Sequence, residues 1–439
     1  MTEGLGLSDT DDRPIVARGD TLVTRGDLGR RVDLLHKRLR VEGVARAMVC
    51  SDDPIDILRA IEACHRAGTD LFIAHTNLPA PQVDEIIQSY GVTLRIGAVD
   101  KAILPAPQDA VPMALKPSPT ARIFMMTSGT TGRPKIATHS LESLLGRVRA
   151  GLRRNESAPG KWLLTYQPTG FAGLQVSLTA ALTGGLVVAP EQRNPAGFFA
   201  AARHWQVTQI SGTPTFWRAF LMVMTPGSLA LKQVTLGGEA ADQTTLNRVK
   251  AAFADARVTH TYASTEAGMV FAVHDGIEGF PSAWLEQPRQ GVELRLRDGF
   301  LQIRTPNAMR GYLAAPSQPL LEDGWLATAD HCEIVGDRVR ILGRDDSTIN
   351  VGGSKVYPLA VEQFLLSLPG VAEARVYGSP NPISGFLVGA DVVLHRGPDP
   401  AEARPRILAA CREGLAGYQV PRIFKIVESI EVGASGKKG

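Results

Sequence analysis

The sequence predicts an α/β protein: a large N-terminal domain of layered α/β subdomains plus a β-rich segment, followed by a small α+β C-terminal domain. Three observations predict it. Apolar runs of strand length alternate with amphipathic stretches of helical period from Thr21 to Gly268. From Val292 to Ile341 the pattern changes to short alternating segments, such as Glu293-Leu294-Arg295-Leu296 and Leu301-Gln302-Ile303-Arg304, which read as antiparallel β structure. The charged connector Gly343-Arg344-Asp345-Asp346 then separates off a last stretch of mixed helix and strand, and it sets the expected domain boundary.

Residues 1–18, rich in Asp, Gly and Thr, read as a loosely attached start. Thr21–Thr24 reads as a short strand. A helix follows on Leu28, Val32, Leu35 and Leu39, with Asp27 as candidate N-cap. Ala47–Cys50 and Leu71–Ala74 read as buried strands, Pro54–Ala67 and Gln82–Tyr90 as helices stopped by Gly68 and Gly91. Residues 103–119 are a proline-rich loop. Ala121–Met126 is a strand, and Ser140–Leu152 is an amphipathic helix with Leu141, Leu144, Leu145 and Val148 on one face. Strands are expected at Trp162–Tyr166, Leu186–Ala189, Ile210–Thr213, Val234–Ala240 and from Val258. Helices are expected from the turn at Gln167–Gly173 through Leu182, and over Phe216–Met224. In the last stretch, helices are expected at Pro358–Leu368 and around Arg406–Leu415, with strands near Val376 and over Val388–Val393.

Bulk properties narrow the function. At 439 residues the chain is long enough for more than one domain. Lys plus Arg number 47 and Asp plus Glu 44, and no long basic run exists, which argues against nucleic acid as a partner. No apolar run reaches the roughly 18 residues of a membrane helix. The polar start Met1-Thr2-Glu3-Gly4 shows no signal-peptide pattern, so a cytoplasmic protein is expected. The four cysteines, Cys50, Cys64, Cys332 and Cys411, lack Cys-x-x-Cys spacing and read as reduced thiols. The nine histidines show no His-x-x-x-His spacing, so a protein-built metal site is not expected, whereas a metal carried by a nucleotide is compatible.

One stretch carries more chemistry than the rest: Thr127-Ser128-Gly129-Thr130-Thr131-Gly132-Arg133-Pro134-Lys135. Glycines let backbone N–H groups approach phosphate oxygens, hydroxyls donate further bonds, and a lysine adds a point charge. Its spacing is not that of a Walker A loop. Four later stretches join it. Tyr262-Ala263-Ser264-Thr265-Glu266 ends a strand in a hydroxyl and a carboxylate, a donor pair suited to a magnesium–phosphate complex but equally to a helix cap. Asp330, in Gly324–Asp330, is a carboxylate able to accept from both hydroxyls of a ribose. Val351-Gly352-Gly353-Ser354-Lys355-Val356-Tyr357-Pro358 follows the charged connector, and Ala434-Ser435-Gly436-Lys437 lies at the C-terminal end. Each alone reads as well as an ordinary turn or solvated tail.

Together, in this order, they resemble the ANL superfamily of adenylate-forming enzymes: acyl- and aryl-CoA synthetases, adenylation domains of nonribosomal peptide synthetases, and luciferases. The resemblance covers residues 20–439. It implies an N-terminal domain (1–343), a hinge (344–346) on Asp346, and a mobile C-terminal domain (347–439). It implies ATP, Mg²⁺ and CoA as reactants. Thr127 to Gly132 and Lys135 would bind phosphates, Gly238, Glu239, Ala240 and Tyr262 would flank the adenine side, and Asp330 and Arg344 would hold the ribose. Lys437, Thr265 and Glu266 would be catalytic, with Glu266 holding Mg²⁺ through ATP. Gly352, Gly353 and Lys355 would form the thiol-acceptor loop. The acyl pocket would be lined by Phe171, Ala172, Gly173, Trp217, Gly237, Ala263 and Met269.

The implied reaction is activation of a carboxylic acid to acyl-AMP with pyrophosphate release, then transfer to the thiol of CoA, or of a carrier-protein phosphopantetheine. A non-catalytic nucleotide-binding relative is the reading from another class. Several positions depart from the family pattern. Phe171 stands where a histidine is frequent, Ser264 where glycine is usual, and Glu431 and Gly433 replace residues of the C-terminal signature. Phe171-Ala172 lacks the Asp that pairs with an α-ammonium, so an aromatic or alkyl acid is expected and an α-amino acid is not.

Overall fold

Ile15, Val16 and Ala17, within the stretch expected to be loose, are wholly buried. They belong to strand β1 (Pro14–Arg18), which pairs with β2 (Thr21–Thr24). A strand buried on both faces shows no alternation, and this one is too short to stand out among Asp and Gly. The computed structural model describes residues 4–7, 9–103, 118, 120–127, 135–153, 159–313, 321, 323–395, 397 and 399–431. Helix α1 (Arg25–Val41) starts two residues before Asp27. Thr24 is its N-cap, and Asp27 is the reciprocal acid of a capping box, accepting from the Thr24 N–H.

The chain then builds its first sheet. It runs β3 (Arg46–Val49), α2 (Pro54–Ala67), β4 (Asp70–Ile73), α3 (Ala80–Tyr90), β5 (Leu94–Ile96), β6 (Lys101–Ala102), β7 (Arg122–Thr127) and β8 (Lys135–Ser140). Strand order is β6-β5-β3-β4-β7-β8, with the middle four parallel and both edges antiparallel. Strand β8 was not expected. Its polar letters hide a buried run in which Ile136, Ala137 and His139 are all interior.

The second sheet takes up α4 (Leu141–Arg153), β9 (Lys161–Leu164), α5 (Phe171–Thr183), β10 (Leu186–Ala189), α6 (Pro195–His204), β11 (Gln209–Gly212), α7 (Pro214–Val223), β12 (Gln233–Gly237), α8 (Gln243–Ala252), β13 (Arg257–Ser264) and β14 (Gly268–Val273). Its order is β14-β13-β12-β11-β9-β10-β1-β2. All but the two edge strands are mutually parallel, so their carboxyl ends share one rim, where α/β proteins bind ligands.

The β-rich segment follows as β15 (Phe280–Pro281), β16 (Glu293–Arg297), β17 (Phe300–Arg304), β18 (Leu326–Val335) and β19 (Arg338–Arg344), antiparallel as expected, in the order β15-β19-β18-β17-β16. Past a short 3₁₀ turn at Asp345–Ser347 come β20 (Ile349–Val351), β21 (Ser354–Val356), α9 (Pro358–Ser367), β22 (Val371–Asn381), β23 (Gly385–Leu394), α10 (Pro400–Gly414) and β24 (Ile423–Ile426). Helix α10 starts six residues before Arg406, because Asp399 caps it and Pro400 occupies its first position. Residues of β20 to β24 have their own apolar cluster, from Ile349 to Phe424.

One buried ion pair joins this last unit to the second sheet's helices. Arg218 of α7 donates to Glu373 of β22 (2.7 Å), Asp242 (3.0 Å), Thr245 (3.1 Å) and Thr215 (3.1 Å). All three charged groups are buried. Removing one partner of such a pair leaves a desolvated charge and typically costs about 3–5 kcal/mol. Glu373→Ala is expected to lower stability on that scale in urea titrations, while Glu293→Ala, which breaks an exposed pair with Arg304, costs under about 1 kcal/mol.

His260 of β13 donates from Nε2 to the Gly279 carbonyl (2.7 Å), and its buried Nδ1 has no partner. Burial pushes its pKa down, with the Gly279 carbonyl and Asp275 opposing. The native state therefore keeps His260 neutral, and below about pH 6.5 the unfolded chain binds a proton the native chain does not. Stability is expected to fall as pH drops through that window. His260→Gln should make the slope shallower by up to about 1.4 kcal/mol per pH unit, read from denaturant titrations between pH 5 and 8.

Candidate active site

Thr127 closes β7 and Lys135 opens β8, and the two are cross-strand partners at the neck of the phosphate-loop stretch. Ser128, Gly129, Thr130, Thr131 and Gly132 lie outside the described residues. Lys135 was expected to point at phosphate; its ammonium lies 5.2 Å over the ring of Tyr312.

Tyr312 arrives on a segment stitched along β8. Arg310 N–H donates to the Thr138 carbonyl (2.8 Å), Thr138 N–H to Gly311 (2.9 Å) and Leu313 N–H to Ile136 (2.7 Å). Met309 N–H donates to the backbone carbonyl of Glu266 (2.8 Å). The Tyr312 hydroxyl donates to Glu266 Oε1 (2.5 Å). Burial is the first cause raising the Tyr312 pKa, followed by the Glu266 charge, so the phenol stays protonated. Gly268, just past Glu266, has φ +69°, and a Cβ there would sit 2.8 Å from the Asn307 carbonyl. Only glycine lets the turn close on the returning chain.

His139 fixes the other side of this turn. Its Nε2 donates to the Thr265 carbonyl (2.7 Å), and its Nδ1 faces the Ser143 hydroxyl (3.1 Å). The ring is wholly buried, and burial pushes its pKa down. The sheet that ends in Thr127 is thereby pinned to the strand that ends in Thr265. His75, beyond β4, makes a similar brace: Nδ1 meets the Thr169 hydroxyl (2.9 Å), and the ring also bonds the Met126 backbone.

The residues expected to hold the ribose lie close together. Tyr262 donates to Asp330 Oδ2, and Asp330 faces Arg344 across the β18–β19 register. Burial first and Asp330 second hold the Tyr262 phenol protonated. Arg344 turns its guanidinium to Asp346, with Nε to Oδ1 at 3.1 Å and Nη2 to Oδ2 at 3.0 Å. The expected ribose and hinge residues are thus one cluster. Glu239 lies near the carboxyl end of β12, its Oε2 accepting from the Thr215 N–H (3.1 Å) and hydroxyl (2.8 Å) at the start of α7. That is where a helix dipole favours an anion. Tyr166 donates to the Gly237 carbonyl (3.1 Å). Gly238 (φ +86°) and Ala240 flank Glu239 in the same turn.

The acyl-pocket candidates divide. Phe171 and Ala172 are half-buried at the head of α5, and Phe171 lies 6.3 Å from the His139 ring, centroid to centroid. Ala263 and Met269 are half-buried cross-strand partners at a bulge. Gly173 is a packing glycine, since a Cβ would meet the Gln167 carbonyl at 2.2 Å. Trp217 is a correction: it is wholly buried in the core between α7, α8 and the second sheet, its indole N–H donating to Thr235 (2.9 Å). Its aromatic letter does not show which face of α7 it lies on, and that face is the core.

Gly352 (φ +57°) and Gly353 (φ +89°) form the two-residue turn between β20 and β21, both exposed. Positive φ at both positions is what a type I′ hairpin requires. Lys355 pairs with Asp345 (3.1 Å). Lys437 lies outside the described residues. Among the described residues no group of three or more His, Cys, Asp or Glu is placed to hold a metal ion, and no helix is long and apolar enough to cross a membrane. The oxygen donors at Glu266 and its neighbouring hydroxyls suit Mg²⁺ delivered with a nucleotide, an ion that keeps most of its waters.

Sequence reasoning missed Tyr312, His139 and His75. Each acts through partners far along the chain, and only the Arg310-Gly311-Tyr312 turn between β17 and β18 offered a local signal.

Comparison with known proteins agrees with the geometry. Residues 7–313 match the family of AMP-binding enzymes, and residues 360–437 match the AMP-binding enzyme C-terminal domain. A feruloyl-CoA synthase from Amycolatopsis sp is 27% identical over 96% of this chain and 93% of its own length. A 2-succinylbenzoate–CoA ligase from Bacillus licheniformis is 26% identical over 98% of this chain and 96% of its own. Among solved structures, an anthranilate CoA ligase in complex with anthranoyl-AMP superposes with a TM-score of 0.80 at 19% identity, covering 98% of this chain and 93% of that one. The o-succinylbenzoate CoA synthetase from Bacillus subtilis in complex with its acyl-adenylate gives 0.72 at 21%, covering 97% and 94%. With both parts matched in order, the chain belongs to the AMP-binding enzymes, the adenylate-forming ANL superfamily whose motifs it carries.

Proposed function

We propose that this protein is an acid–thiol ligase: it activates a carboxylic acid with ATP and transfers the acyl group to the thiol of CoA. The observation that carries the reading is the convergence of two carboxylate clusters, Tyr262–Asp330–Arg344 and Tyr312–Glu266, at the carboxyl-end rim beside Thr127. One cluster suits a ribose, the other a magnesium–polyphosphate.

In the first step a carboxylate oxygen attacks the α-phosphorus, the bond to the β-phosphate bridge breaks, and pyrophosphate leaves. Thr127 to Gly132 hold the departing phosphates. Glu266 would hold Mg²⁺, which would supply charge neutralisation, with the neighbouring Thr265 hydroxyl as a further donor. Lys437 neutralises charge building on the α-phosphate. In the second step the thiol sulfur attacks the acyl carbon, AMP leaves, and the thiol proton goes to solvent. The exposed Gly352–Gly353 hairpin tip presents bare backbone, which suits an approach to a narrow pantetheine arm. Asp346, bonded to Arg344 in the connector, is the hinge about which the C-terminal domain exchanges Lys437 for this hairpin.

Phe171, Ala172, Ala263 and Met269 form an apolar acyl pocket, suited to an aromatic or alkyl acid. The relatives' acids, feruloyl and 2-succinylbenzoyl, are of the aryl class. Hydroxamate trapping of acyl-AMP across a panel of aryl, alkyl and amino acids is expected to give product with the first two classes only. With the best acid, thioester is expected with CoA. Product with a phosphopantetheinyl carrier protein and none with CoA would move the acceptor assignment. Lys437→Ala is expected to slow adenylation by roughly 10²–10³-fold while sparing thiolysis of supplied acyl-AMP. Equal loss in both steps would refute the domain exchange.

A further inference from the structure

Tyr312 touches both ends of the phosphate-loop neck and the proposed metal carboxylate. Its hydroxyl donates to Glu266 Oε1 at 2.5 Å and also bonds the Thr127 hydroxyl. Its ring lies under the Lys135 ammonium, 5.2 Å away. Thr127 and Lys135 are cross-strand partners, so the three contacts span the loop's exit, its return and the carboxylate opposite. The backbone leaves the tyrosine little freedom. An isolated bridge holds it against Ala137, Leu313 is bonded to Ile136, and Met309 is bonded to the carbonyl of Glu266 itself.

The bonds have a direction. The Tyr312 proton goes to Glu266, so the phenol oxygen must accept from Thr127. The chain Thr127 to Tyr312 to Glu266 holds the carboxylate through Oε1, and Oε2 is the oxygen that would take the cation. A hydrogen bond to a charged acceptor is among the stronger kind, and here it is ordered at both ends.

We propose that Tyr312 is a positioning residue for the magnesium–nucleotide: it orients Glu266 and sets the spacing between that carboxylate and the neck of the phosphate loop. This rests on the reading of Glu266 as the Mg²⁺ ligand. The role concerns only the β- and γ-phosphates and their metal. AMP, which lacks both, is held from the Asp330 side and owes Tyr312 nothing. A tyrosine that merely packs would contribute through its ring, and the hydroxyl would be dispensable.

Tyr312→Phe keeps the ring over Lys135 and removes the hydroxyl. Isothermal calorimetry with Mg·ATP is expected to show binding weakened about 10- to 100-fold, the range for a lost bond to a charged group. AMP binding should be unchanged, as should thioester formation from supplied acyl-AMP. The double variant Tyr312→Phe/Glu266→Gln should bind Mg·ATP no more weakly than Glu266→Gln alone, because one acts through the other. Tyr312→His keeps a ring N–H donor toward Glu266 and should lose less Mg·ATP affinity than Tyr312→Leu even if Tyr312→Phe folds poorly, which melting temperatures reveal. If Glu266→Gln leaves Mg·ATP binding intact, the metal reading fails and this inference with it. If Glu266→Gln weakens binding and Tyr312→Phe does not, or if the two losses add, the metal reading stands and the positioning role is wrong.

Discussion

The parallel run β13-β12-β11-β9-β10-β1 forces the carboxyl ends of its strands onto one rim, and the site is what those ends deliver there. Gly237 to Ala240 follow β12, Ala263 to Glu266 complete β13, and the turn before Phe171 follows β9. The first sheet contributes Thr127 from the end of β7. Two separate sheets give no guarantee of mutual alignment. Here a shared apolar core that includes Ile73, Met125, Leu164 and Val187 packs the two together, and polar stitches fix their rims: residues 309–313 along β8, His139 to Thr265, and His75 to Thr169.

The histidines are well chosen for this work. A neutral imidazole carries a donor and an acceptor on opposite sides of a rigid ring, so it can join two elements across a gap. His75, His139 and His260 all have pKa values pushed down by burial. Their protonation would disturb the seams between elements before it disturbed any one element.

Much of the architecture was legible in the sequence because its signals are local. The bounds of α2 follow from Asp53, Pro54 and Gly68, and the switch to alternating letters at Val292 marks the antiparallel segment. The clustering of Tyr262, Asp330 and Arg344 was legible because they sit in recognisable short motifs, and the register brings Asp330 opposite Arg344. What was hidden depends on contacts between distant segments. β1 is buried by strands and helices far from it along the chain, so its composition misled. Trp217 is an aromatic near a motif, but its helix turns it inward. Tyr312 carries no motif chemistry by itself and acquires meaning only from the two strand ends it meets.

The buried Arg218 has a further consequence. Its Nη2 donates to the Thr215 hydroxyl, and that same hydroxyl donates to Glu239 in the turn after β12. On its other side Nε holds Glu373 of β22. A single guanidinium thus stands between β22 and the turn that follows β12. Free-energy coupling runs equally in both directions. A change at Glu239 is therefore transmitted toward Glu373, and loss of Glu373 would loosen the donor that steadies Glu239. The rim of the second sheet and strand β22 are thus tied through a path three hydrogen bonds long.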